Sequence, residues 1–121
     1  MTALNRPISI TIIALVYLTV GIVGFGYHFK EIRAPDGIGI ELTEFLAIVA
    51  GAFLLRGHNW ARWLALAWIA FHVAVSAFHP LPELLTHCLF CAVISWLLFR
   101  PPAATYFRAN RSPSLSSNEK L

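Results

Sequence analysis

From Pro7 to Phe29 the chain carries no charged side chain; Arg6 stands before the run and Lys30 ends it. A helix needs about 18 or more largely apolar residues to cross a hydrocarbon core of roughly 30 Å. This stretch meets that demand, and shorter apolar runs of the same kind follow it. Of 121 residues, 58% are hydrophobic and 12% charged, about half the charged share of an ordinary soluble domain. A soluble chain of this size buries too small a fraction of its surface to hide so much apolar area. The expectation is an all-α integral membrane protein, an up-and-down four-helix transmembrane bundle.

Residues 1–100 hold the spans, at about 7–29, 40–55, 60–78 and 82–99, and residues 101–121 form a cytoplasmic tail, partly disordered. Pro7 suits a first helical turn. A cleaved signal peptide is the rival reading of the first run. That run exceeds a typical h-region of about 7–15 residues, and only Gly24-Phe25-Gly26 stands where an A-x-A site belongs. Pro35-Asp36-Gly37 reads as a turn. The second span reaches only about 24 Å at ~1.5 Å per residue, and Ala47 with Gly51 gives it a small-xxx-small pair. Arg56-Gly57-His58-Asn59 is a tight loop, after which Trp60, Arg62 and Trp63 look like interfacial anchors. Ala67, Ala70, Ala74 and Ala77 form a smooth seam, expected to pack against a neighbouring helix. His79-Pro80-Leu81-Pro82 breaks the chain, and Arg100-Pro101-Pro102 ends the fourth span. One interfacial turn is expected from Ala103 to Asn110, with a polar, disordered tail from Ser112.

Of the 9 Lys and Arg residues, all but Lys30 and Arg33 fall at the N-terminus, the second loop, its flank or the C-terminal tail. The positive-inside rule therefore puts both termini in the cytoplasm of a cell membrane. The formal net charge of +3 does not point to nucleic acid, because the cations flank apolar runs instead of forming a patch interleaved with aromatics. Two cysteines exclude a disulfide framework.

In this orientation the ionisable residues of the spans gather in the outer half: His28, Glu41, Glu44, His72, His79, Glu83 and His87, with Cys88 and Cys91. His72 lies about eight residues before the outer turn and His87 about six after it, so their depths differ by only about 3 Å. Intramembrane ionisable groups are functional candidates. The sharp reading is a metal or haem site built from His72, His87 and a carboxylate, Glu44 or Glu83, since imidazole with carboxylate suits transition metals and paired imidazoles suit haem. No tight ligand spacing such as H-E-x-x-H is present. The plainer reading is that these groups bond to one another and to the backbone, fixing helix order, with no cofactor at all.

Cys88-Leu-Phe-Cys91 resembles the C-x-x-C near the start of the fourth helix in small quinone-linked disulfide oxidoreductases such as the vitamin K epoxide reductase family. That family relays electrons through a second cysteine pair, and this chain has no further cysteine. In length and span count the chain also resembles small multidrug transporters, whose membrane-embedded acid lies in the first helix; here Glu44 would have to serve from the second. The stretch from Gly57 to Phe107, with Gly57-His58-Asn59-Trp60-Ala61-Arg62-Trp63, Phe71-His72, Phe78-His79 and Arg100-Pro101-Pro102, resembles uncharacterised small four-helix bacterial inner-membrane proteins. This last resemblance implies a four-helix membrane fold and no known activity. The functional expectation is a non-enzymatic accessory or interaction subunit that packs in the lipid bilayer against itself or a membrane partner protein. The alternatives are a metal- or haem-binding redox protein and a small transporter.

Overall fold

The computed structural model describes residues 6–111, and every regular element among them is helical: α1 Ile8–His28, α2 Gly37–Leu55, α3 Asn59–Ser76, α4 Leu81–Phe99 and α5 Pro101–Arg111. A short 3-10 turn, Phe29–Glu31, prolongs α1. Pro7 and Pro80 stand at the N-caps of α1 and α4, where a missing N–H costs nothing. Residues 1–5 and 112–121, including the tail expected to be disordered, lie outside the described residues.

Among the described residues three helices are long and apolar enough to cross a membrane: Ile8–Glu31, Gly37–Leu55 and Leu81–Phe99. The third expected span corresponds to α3, which has 18 residues but does not reach that apolarity. Asn59, Arg62, His72 and three tryptophans dilute it. The second span is longer than its sequence suggested. It begins at Gly37, and its 19 residues reach about 28 Å.

Consecutive helices pack as neighbours, most intimately α1 against α2. Glycine makes that approach possible. A Cβ at Gly21 would stand 2.8 Å from the Glu44 carbonyl oxygen, and one at Gly51 would stand 2.8 Å from that of Ala14. α3 turns Ala61, Ala65, Ile69 and Ser76 inward. Ala67, Ala70, Ala74 and Ala77, the seam expected to pack, are exposed on the other side. The reason is polar: Trp68, His72 and Ser76 carry groups that find their hydrogen-bond partners within the protein, so their side of the helix faces inward.

One end is closed by α5. Ala103, Tyr106 and Phe107, at helical spacing, join a core with Ile10, Leu54, Ala61 and Leu98, and Phe107 is fully buried. The single turn expected at Ala103–Asn110 is therefore a helix with a role in the core. At the same end, α2 stops in a Schellman cap: Gly57 has φ 77°, its N–H donates to Leu54 O, and the His58 N–H donates to Phe53 O. The carbonyl of Leu55, in the last turn of α2, accepts from Arg6 Nη1 at 2.9 Å and from the Tyr106 hydroxyl at 3.2 Å. Arg62 donates to Leu98 O at 3.3 Å and to Asn59 Oδ1. Its guanidinium lies 4.8 Å from the Phe99 ring and 4.9 Å from that of Phe107. The expected headgroup anchor is thus a half-buried internal clamp, whereas Trp60 and Trp63 remain exposed.

Candidate functional site

The far half, away from α5, is more open. Leu98, close to α5, is the buried residue of α4, while Leu85, Leu89, Phe90, Val93 and Trp96 are exposed. Between α1, α3 and α4, with α2 at the edge, lies a cavity of about 420 Å³ whose lining includes Tyr17, Glu44, Trp68, His72, His87 and Phe90. A second cavity, about 440 Å³, opens toward the α1–α2 connection, and Asp36, Thr43, Glu44, Phe71 and His72 are among its walls. Glu44 and His72 belong to both cavities.

Four aromatic rings cross the first cavity's wall in a row. Tyr17 and Trp68 lie 5.2 Å apart between centres, Trp68 and His72 3.9 Å, and His72 and His87 6.1 Å with their planes 23° apart. The Tyr17 hydroxyl donates to Ala65 O at 2.7 Å, and Trp68 Nε1 donates to Thr43 O at 2.8 Å. His72 Nδ1 stands 2.9 Å from Trp68 O, and His87 Nδ1 stands 2.9 Å from Glu83 O and 2.8 Å from Ser76 Oγ. A carbonyl oxygen only accepts, so His72 Nδ1 carries the hydrogen, and in the neutral ring its Nε2 is left as an acceptor; His87 Nδ1 sits between a carbonyl and a hydroxyl that can donate to it, so either tautomer of that ring finds a partner.

The matched depth of His72 and His87 thus does bring the two rings side by side, and Glu44 lines the same cavity. Its carboxylate rests against Gly24, where a Cβ would come within 2.5 Å of it. Glu44 Oε1 is 3.9 Å from His28 Nδ1, and Oε2 is buried with no hydrogen-bond partner among the described residues. Glu41, one turn earlier, is 5% exposed, and neither of its carboxylate oxygens has a hydrogen-bond partner among them. Glu83 does not join them: its carboxylate lies 3.5 Å from His79 Nδ1 at an exposed edge. Among the described residues no group of three His, Cys, Asp or Glu side chains is arranged to hold a metal ion. Cys88 and Cys91 are free thiols, the first exposed and the second half-buried.

Tyr17, Trp68, Ser76 and Gly24 are the site residues that sequence reasoning passed over. A signal existed for Tyr17, whose hydroxyl lies deep in an otherwise apolar span and must find a partner there. Nothing in the sequence singles out Gly24 from Gly21 or Gly26.

The chain matches no protein-family model, no curated protein and no solved structure.

Proposed function

We propose that this chain is a small, non-enzymatic multi-pass membrane protein that acts as a binding subunit, holding a small ligand in the outer half of the bilayer. In this reading α1 to α4 all cross, α3 included, and both termini lie in the cytoplasm. The distribution of Lys and Arg supports that orientation. α3 can cross despite its polar residues, because they face protein and cavity instead of lipid. The resemblance of the stretch from Gly57 to Phe107 to small bacterial inner-membrane proteins agrees with a bacterial cytoplasmic membrane.

The observation that carries the binding reading is the cavity of about 420 Å³ in which His72, His87 and Glu44 meet aromatic walls. Its size and its mixture of apolar lining with a few polar groups are those of small-molecule sites. Two experiments test the proposal. Reporter fusions after Arg56 and at Leu121 should read cytoplasmic and a fusion at Asp36 external; a cytoplasmic Asp36 would overturn the topology. Native mass spectrometry of the detergent-purified protein should find a bound small molecule that a cavity-filling Val20→Trp variant lacks. Equal occupancy in both would remove the cavity from the argument, and stoichiometric metal or a haem spectrum would favour the metal or haem reading of the same histidines.

A further inference from the structure

The side-chain hydrogen-bond donors of Tyr17, Trp68 and His72 on the first cavity's wall are already engaged by the protein itself. The Tyr17 O–H, the Trp68 N–H and the His72 Nδ1–H all point at backbone carbonyls, and His87 Nδ1 is held between Glu83 O and Ser76 Oγ. What Tyr17, Trp68, His72 and Glu44 leave over is acceptors: the Nε2 of the neutral His72 ring and the carboxylate of Glu44, whose Oε2 has no hydrogen-bond partner among the described residues. The remaining wall is apolar and aromatic, and the faces of Tyr17, Trp68 and Phe90 attract cations.

A hydrogen-bond acceptor buried in a dry site without a donor is costly. A wall that offers acceptors and one carboxylate is complementary to a cation that brings several N–H donors on an apolar body. A carboxylate, phosphate or simple carbonyl ligand would meet lone pairs with lone pairs. We infer that the cavity formed by Tyr17, Glu44, Trp68, His72, His87 and Phe90 binds a lipophilic primary or secondary ammonium compound, its N–H groups shared between the Glu44 carboxylate and the His72 imidazole. This inference rests on the binding function proposed above and adds the chemical class of the ligand. It also separates a donor-bearing ammonium from a quaternary one, which has charge but no N–H to give.

The full-length protein in detergent, studied by equilibrium dialysis, tests this with four probes of one shape: 4-phenylbutylammonium, its N,N,N-trimethyl counterpart, 4-phenylbutan-1-ol and 4-phenylbutanoate. The primary ammonium should bind about tenfold or more tighter than the other three, because charge-assisted hydrogen bonds are the strongest the site can form. Glu44→Gln should remove about tenfold of that affinity and leave the alcohol within about threefold. The comparison among probes needs only the natural chain, so a variant that fails to fold does not blunt it. If the alcohol binds but the primary and quaternary ammonium probes bind equally, or if the carboxylate binds best, the ammonium assignment is overturned and the binding cavity stands. Failure of all four probes overturns both.

Discussion

His72 and His87 stand with ring centres 6.1 Å apart, yet each ring's Nδ1 is held by the carbonyl four residues earlier on its own helix. Side-by-side imidazoles in a membrane would ordinarily be expected to depend on each other for polar partners. Here each α-helix supplies a carbonyl for its own ring, and Ser76 Oγ of α3 also lies 2.8 Å from His87 Nδ1.

Removing either ring therefore orphans no Nδ1–H on the other. His72→Leu and His87→Leu should each change stability by about 1 kcal/mol. The double variant should equal the sum to within about 0.5 kcal/mol. Unfolding titrations in detergent measure this cycle, and a double variant more stable than the sum would show that the rings hold each other directly.

The glycines of α1 and α2 make a graded series. Gly21→Ala and Gly51→Ala drive a Cβ into backbone atoms of the opposing helix and should cost about 1–3 kcal/mol each. Gly24→Ala meets the movable end of Glu44 instead, so it should cost less stability while shifting the carboxylate. Gly26 has open space around it, and Gly26→Ala should be neutral or stabilising by about 0.5–1 kcal/mol. Thermal unfolding in one detergent orders all four variants. A Gly21→Ala no worse than Gly26→Ala would mean that α1 and α2 stand farther apart.

On α3, Ala65 and Ala70 should respond oppositely to enlargement. Ala65→Leu overpacks a fully buried position and should cost about 1–3 kcal/mol. Ala70→Leu and Ala74→Leu extend into the surroundings and should change stability by less than about 0.5 kcal/mol. The reverse ranking would restore the alanine seam as the packing face.

Phe107→Ala should destabilise the whole protein by about 3–5 kcal/mol, as expected for a large ring removed from a closed core. A loss below about 1 kcal/mol, read from the same unfolding transition, would mark α5 as a loosely held appendage.

Much of the helical frame is legible in the sequence because prolines, glycines and charges punctuate long apolar runs, and α1, α2 and α4 begin within a few residues of where those signals fall. Counting residues from a turn gives height along a helix, which is why His72 and His87 can be paired on paper. Rotation about the axis is not given by such counting. Small side chains suit either a close helix contact or a lipid face, so the four alanines of α3 carry no direction; the hydrogen-bonding needs of Trp68, His72 and Ser76 decide it. Glu83 shares a helical face with His87, but its flexible carboxylate turns to His79 at the exposed edge. α5 is a short amphipathic segment whose stability comes from docking, through Tyr106 and Phe107, against helices far away in sequence.

The carbonyl of Leu55 has one more consequence. Because it accepts from both Arg6 and Tyr106, the beginning of α1 and the body of α5 are held beside the same turn. Helices held beside one turn in this way can be joined to each other and the chain reopened elsewhere. A circular permutant joined through a short linker and cut in the α1–α2 connection should assemble the same helices, and halves of a split fluorescent protein fused to the two ends should reconstitute within one molecule.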